Sequence, residues 1–242
     1  MNNIIKENLI SIFCYNVDKF IFSVLKKVHF SNHKNTSVIL INDFSTDDTL
    51  NEIKKFIEKY KNENIEIINN KKNMGYGYNY KLSFKYAIKY NFKKIIFLHG
   101  DGQYPPDQVK KMSQLLDNNT LVYGSRFLNF FSVKENMPTI RYCANRCLTI
   151  FINFIFRKKL TEYFSGFRGY FISDINKINF DNLSDKWIFE QQLQFRIMNK
   201  NLKIKEFPIE TVYEDQVSNI PPVRYCIDVV INAINFAFIN KN

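Results

Sequence analysis

Lys94-Ile95-Ile96-Phe97-Leu98-His99-Gly100-Asp101-Gly102-Gln103-Tyr104-Pro105-Pro106 is the stretch on which the fold turns. The run from Lys94 to Leu98 has the length and apolar character of a buried strand. It breaks into a polar, glycine-flanked turn and then meets twin prolines. Proline suits the first turn of a helix, where its missing N–H costs nothing, so a helix is expected past Val109, Met112 and Leu115.

The same strand–turn–helix unit repeats upstream. Leu9 to Cys14 reads as a strand, followed by an apolar stripe through Phe20, Val24, Leu25 and Val28. Ser37 to Ile41 is a second strand, leading into the polar turn of Asp43, Ser45, Thr46 and Asp47. A helix is expected from there toward Leu50, Ile53, Phe56 and Ile57, capped by Asp47 or Thr46. Ile65 to Ile68 and Tyr80 to Tyr90 give a third pair, and Leu121 to Tyr123 a fifth strand ending at Gly124-Ser125-Arg126. Short strands alternating with helices predict an α/β fold with a mostly parallel sheet flanked by helices. In such sheets the ligand crevice lies beyond the carboxyl ends of the strands, where Asp43 and His99 to Gln103 fall. Beyond residue 126 the pattern loosens. A long apolar helix is expected over Pro138–Phe156, a glycine-bearing segment over Tyr163–Ser173, a helix over Trp187–Met198, an extended edge over Leu202–Phe207 and a terminal helix over Val223–Ile239. Neither apolar helix reads as a span: the last is short and carries Asp228, Asn232 and Asn235, and the longer one carries Arg141, Asn145 and Arg146. The longer suits a buried helix or one lying on a membrane, with an apolar stretch from Leu148 to Phe156 and a basic exit at Arg157-Lys158-Lys159.

Composition narrows the partners. The formal net charge of +11 over 242 residues favours anionic ones. The lysines are dispersed and no zinc finger, basic zipper or RNA-binding aromatic motif is present, so nucleic acid is not expected. Aromatics reach 16%, with 24 Phe and 14 Tyr; beside the many Asn, Lys and Ile residues this reads as coding bias, so a lone surface aromatic is weak evidence. Cys14, Cys143, Cys147 and Cys226 form no zinc pattern, and the chain has no signal-peptide-like start. The expectation is a reduced, cytoplasmic protein, at most peripheral on the inner face of the membrane.

His99, Asp101 and Gln103 stand at i, i+2 and i+4 immediately after a strand. That spacing suits ligands for Mn²⁺ or Mg²⁺, imidazole tilting toward Mn²⁺, or equally a polar turn in which Asp101 caps a helix. Asp43 suits a ribose or base contact, or an Asx turn. Gly75 and Gly77 follow Asn73 and precede a helix, where exposed N–H groups meet anions, though loop glycine explains them as well. Arg126 follows Gly124-Ser125 and Arg168 lies just past Ser165-Gly166; each carries the fork that matches phosphate, though an isolated arginine is more often a surface charge. Glu190 suits a general base, an acceptor-orienting group or plain helix surface.

Taken in order, these blocks resemble the family 2 nucleotide-sugar glycosyltransferases, and among them the dolichyl-phosphate mannose synthase-like and bacterial polyprenyl-phosphate sugar transferase branch. Ser11 to Asn16, Asn42 to Thr49, Asn73 to Gly77, His99 to Pro106, Gly124-Ser125-Arg126, Ser165-Gly166-Phe167-Arg168 and Glu206 to Ile209 carry the resemblance across roughly residues 9–213. It implies a GT-A (Rossmann-like) fold and one domain over 1–242, with a donor-binding half to about 126 and an acceptor-side half after it. It also implies inverting transfer from a nucleotide-sugar donor to a polyprenyl-phosphate or glycan acceptor. By the same resemblance Asp43, Tyr15, Asn73 and Gly75 attend the nucleotide. Asp101, Gln103 and His99 would hold the ion, and Asp101, Arg126, Arg168 and Glu190 would serve transfer. The chain departs from the pattern at His99, where an Asp is usual, at Asn42 and Phe44 (Asp and Gly), at Glu162 (Asp) and at Gln192 (Glu). A lipid phosphate arrives as an oxyanion and needs no strong base, which favours that acceptor. The alternatives are a glycan-extending transferase with a sugar hydroxyl acceptor, and a non-catalytic sugar-nucleotide or membrane-binding module.

Overall fold

A computed structural model describes residues 6–31, 36–61, 64–128, 137–200, 202–211 and 222–239. A seven-stranded sheet forms its middle layer, in the order β3-β2-β1-β4-β6-β5-β7. Strands β1 (Lys6–Cys14), β2 (Thr36–Asn42), β3 (Ile65–Asn69) and β4 (Phe92–His99) are mutually parallel. The chain steps outward from β1 to β3, then returns to place β4 on the other side of β1. Strand order therefore reverses between β1 and β4, and the crevice opens at their carboxyl ends.

Expected and observed elements agree closely over this half. Every interior position of β1 from Leu9 to Cys14 is buried, as a strand covered on both faces requires. Helices α1 (Asp18–Ser31) and α2 (Thr49–Tyr60) lie on one face with α4 (Val109–Leu115); α3 (Tyr76–Lys89) lies on the other. The twin prolines do not open an α-helix directly: Pro105 is extended and Pro106–Gln108 form a 3₁₀ turn before α4. Asp47 serves the start of α2, its Oδ1 accepting from the Thr49 N–H at 3.0 Å, while Oδ2 accepts from the Asp18 N–H of α1 at 3.1 Å. Burial alone would raise the Asp47 pKa; the hydrogen bonds from Thr49 and Asp18 outweigh it and hold the carboxyl below its ordinary value.

The second half adds what periodicity did not show. Within the glycine-bearing segment, Arg168–Phe171 forms β6, which runs antiparallel between β4 and β5 (Thr120–Ser125). Strand β7 (Lys203–Pro208) closes the edge, parallel to β5. Because β6 is antiparallel to both neighbours, its first residue, Arg168, lies at the edge where β4 and β5 end. The short α6 (Ile172–Ile175) follows it. Helices α5 (Thr139–Phe156), α7 (Phe189–Asn199) and α8 (Pro222–Ile234, continued by a π turn to Ile239) cover the α3 face. Among the described residues, no helix is long and apolar enough to cross a membrane.

Candidate active site

The site is built on the carboxyl ends of β1, β2, β4 and β5 and the start of β6. Asp43, first residue after β2, is buried and fully engaged. Its Oδ1 accepts from Asn70 Nδ2 at 2.7 Å and the Met74 N–H at 2.8 Å, and its Oδ2 accepts from the Gly75 N–H at 3.0 Å. One carboxylate thus fastens the β3–α3 turn to the end of β2. Gly75 adopts φ +94°, a conformation that L side chains rarely hold. The N–H groups of Gly77 and Tyr78 donate to the Asp185 carbonyl at 2.8 and 3.2 Å. This corrects the expectation of exposed N–H groups at Gly75 and Gly77: the turn's donors face Asp43 and Asp185. Asn73 stands exposed on the turn, and Tyr15 stands exposed directly after β1. The neighbouring Asn16 ties this exit to the next turn, donating its N–H to Ser45 Oγ at 3.0 Å and accepting from the Thr46 N–H at 2.9 Å.

At the end of β4 the three residues spaced for one ion have separate surroundings. Alternation along the strand turns His99 to the same side as Phe97. There its Nε2 shares a 2.8 Å hydrogen bond with the Tyr76 hydroxyl, its ring lies edge-on to Tyr76 and Tyr104, and it stacks on Phe13. Gly166 backs onto this ring so tightly that a Cβ there would lie 2.7 Å from it. Asp101 Oδ1 accepts from the Gln103 N–H at 3.0 Å, an Asx-type turn two residues ahead of the twin prolines. Gly100 lets β4 leave the sheet against β1, donating its N–H to the Phe13 carbonyl at 2.8 Å; an added Cβ would sit 3.0 Å from that oxygen. Asp101 is therefore delivered to the β1/β4 reversal by backbone contact. Among the described residues no three His, Cys, Asp or Glu side chains gather around one ion position. The donor set still fits an ion shared with a diphosphate, since Mg²⁺-type sites use one or two carboxylates and take their remaining oxygens from phosphate and water.

Arg126 and Arg168 are interior residues. The Arg126 guanidinium pairs with Glu162, Nε to Oε1 at 2.7 Å with Nη2 on the same oxygen, while its own N–H donates to Glu162 Oε2 at 2.7 Å. Arg168 is 1% exposed. Its Nε and Nη2 donate to the carbonyls of Ser165 and Tyr163, both at 2.7 Å, and Nε lies 3.3 Å from Glu190 Oε1. Burial alone would lower the Arg168 pKa; Glu190 and the hydroxyls of Tyr170, Tyr123 and Tyr80 outweigh it and hold the group above the ordinary arginine value. Glu190, on the first turn of α7, also accepts from the Tyr80 hydroxyl at 2.5 Å. Burial and the Glu190 charge push the Tyr80 pKa up, so the phenol stays a donor. The structure thus sets Glu190 in an internal Arg168–Glu190–Tyr80 chain, and sets Gln192 between the Ser184 N–H and Asn232. Tyr76 and Tyr80 escaped sequence reasoning. Their spacing, one helical turn apart on the inward face of α3, was the available signal.

Comparison with known proteins places this geometry in context. The chain is 23% identical over 231 residues to an uncharacterised protein of Methanocaldococcus jannaschii, spanning 93% of this chain and 96% of that one. It is 28% identical over 214 residues to a UDP-N-acetylglucosamine–dolichyl-phosphate N-acetylglucosaminyltransferase of Methanococcus voltae, spanning 83% and 84%. Among solved structures, glucosyl-3-phosphoglycerate synthase of Mycobacterium tuberculosis with UDP superposes with a TM-score of 0.71 at 12% identity, over 96% of this chain and 80% of that one. A mannosyltransferase of Pyrobaculum calidifontis with GDP-mannose and Mn²⁺ gives 0.64 at 11% identity, over 95% and 64%. These likenesses establish the GT-A fold. The model of the family described as Glycosyl transferase family 2 matches residues 10–178, most of the sheet and every turn that carries the site, and the chain belongs to that family.

Proposed function

We propose that this glycosyltransferase moves a sugar, with inversion, from a nucleoside-diphosphate donor to a lipid phosphate of the polyprenyl class at a membrane surface. The observation that carries the reading is the placing of Asp101 at the strand-order reversal, on the same edge as Asp43, Arg126 and Arg168. Tyr15 and Asn73 lie beside the nucleoside, over a floor that Asp43 holds by fixing the Gly75 turn. Asp101 faces the diphosphate. A divalent ion, Mn²⁺ or Mg²⁺, would be held by Asp101 with Gln103 and would neutralise the departing diphosphate. His99, whose Nε2 already meets Tyr76, braces the turn from inside and adds at most its other ring nitrogen. The acceptor phosphate oxygen forms the new bond to the anomeric carbon from the face opposite the diphosphate, whose bond to that carbon breaks. No proton moves. This agrees with Glu190, the carboxylate expected as a base, being buried against Arg168 and Tyr80. Arg126 and Arg168, each paired with a buried glutamate, act from behind by fixing the 162–168 loop.

The relative from Methanococcus voltae is named for a UDP-N-acetylglucosamine donor and a dolichyl phosphate acceptor, which makes that pair the first to assay. Radiolabelled nucleotide sugars would be offered to the purified chain with polyprenyl phosphate or with oligosaccharides, with Mn²⁺, Mg²⁺ or chelator. Label is expected in the lipid phosphate only. Transfer to glycan alone would establish the sugar-hydroxyl alternative, and donor binding with neither transfer nor hydrolysis would establish the non-catalytic one. Asp101→Asn is expected to lower transfer by about a hundredfold or more; unchanged transfer would remove Asp101 from the chemistry.

A further inference from the structure

Two touching helices on the acceptor side carry apolar stripes turned to solvent. On α5 the stripe is Ile140, Cys143, Cys147, Ile150 and Phe154, all exposed, with Ile140 at 85% and Phe154 at 83%. At 3.6 residues per turn these five fall within an arc of about 80°. On α8 the stripe is Val223, Ile227, Ile231 and Ile234, and it continues to Phe238 on the π turn. The opposite faces are committed to the core: Leu148 and Ile152 on α5, Val229 and Ala233 on α8. Polar contacts lock both helices in place. Asn153 of α5 exchanges hydrogen bonds with Leu160 at 2.8 and 3.0 Å, Trp187 Nε1 donates to Asp228 of α8, and Gln192 Nε2 donates to Asn232. Neither stripe therefore turns inward without breaking these bonds.

We infer that the solvent faces of α5 and α8 form a membrane-docking surface that lies on an anionic headgroup layer. The inference rests on the lipid-phosphate reading above and deepens it. Charge selects the occupant. Exposed Arg157 and Lys159 follow α5 and exposed Arg224 opens α8, whereas α5 contains no Asp or Glu at all. A second copy packed through α5 would set these cations against like charges with no carboxylate on that helix to pair them. An anionic lipid layer supplies the counter-charge and accepts the apolar stripe below it. The surface also adjoins the site. Tyr225 of α8 packs edge-on against Phe164, in the loop that brings Ser165 and Gly166 to His99, and Arg146 of α5 donates to the Thr161 carbonyl, next to Glu162. A lipid phosphate presented at this face would arrive beside the 162–168 loop without leaving the bilayer.

The test is co-sedimentation of the full chain with phosphatidylcholine vesicles, with and without phosphatidylglycerol. Binding to the anionic vesicles only, weakened by salt, is expected. Ile150→Asn with Phe154→Asn, and separately Ile227→Asn with Ile231→Asn, keep the net charge and should each weaken binding about tenfold or more. Equal binding by wild type and both variants would mean adsorption by bulk charge and would overturn the inference. So would absence of binding, or a concentration-dependent dimer that the variants make monomeric. Thermal melting of each variant checks the fold, which exposed positions should leave intact. Transfer to a short, water-soluble prenyl phosphate separates the two proposals. Transfer without vesicle binding removes the docking surface alone, and vesicle binding without transfer removes the lipid-phosphate acceptor alone.

Discussion

Glu162 shows at the level of one residue how a buried carboxylate fixes the end of β5. It takes three donors from Arg126, one from the backbone and two from the guanidinium. Two charges removed from water are offset only while both are present, so loss of one partner leaves the other uncompensated. Glu162→Gln is expected to cost about 3–5 kcal/mol in denaturant unfolding. Arg126→Met combined with Glu162→Leu should recover only part of that loss: no charge is stranded, but the buried Arg126 backbone N–H loses its acceptor, at a cost of about 1–3 kcal/mol. A single variant as stable as wild type would mean that the pair contributes nothing to the fold. The sequence marked Arg126, Arg168, Asp43 and His99 as notable and left their partners unread. Those partners, Glu162, Glu190, the Gly75 turn and Tyr76, lie from 22 to 36 positions away and meet them only once the sheet is assembled. Local pattern has no term for such contacts.

Among the elements, the βα units up to β5 were legible because each strand is a short, mostly apolar run and each helix a periodic one. Strand β6 was not legible. It is four residues long, carries Arg168 and Gly169, and owes its strand form to pairing with β4 and β5. The start of α3 also came four residues earlier than periodicity suggested, because the helix is anchored from outside by the Asp185 carbonyl. Gly77 makes that anchor possible. A Cβ there would lie 2.3 Å from the Ser184 carbonyl oxygen and 2.7 Å from Phe189 Cβ. Helix propensity favours alanine over glycine by about 1 kcal/mol. The clash involves backbone that cannot rotate away, and overpacking of this kind typically costs about 1–3 kcal/mol. Gly77→Ala should therefore be net destabilising, seen as a lower melting temperature, with slower transfer because the Asp43-held turn shifts. A rise in melting temperature would show that propensity wins and that the 184–189 segment yields freely.

At the scale of the whole molecule the same antiparallel strand decides whether the chain behaves as one body. The family resemblance implied one domain with a donor half ending near residue 126 and an acceptor half after it. In the sheet, β5 from the first half lies between β6 and β7 from the second, while β6 lies between β4 and β5. Each half thus supplies a strand that the other's edge needs, and a cut at residue 126 would leave β4 and β5 separated by a missing neighbour. The core repeats the interlock: one cluster joins Phe97 and Tyr123 to Tyr163, Tyr170 and Phe195. Unfolding is therefore expected to be a single cooperative transition. The chain offers a built-in reporter, because its one tryptophan, Trp187, sits between α7 and α8 on the acceptor side, whereas far-ultraviolet dichroism averages over all helices and strands. Tryptophan fluorescence and dichroism should trace the same midpoint and slope in urea. A fluorescence transition completed before the dichroic one would show that the acceptor side melts alone. It would mean that β6 fails to join the halves into one unit, despite its place between them.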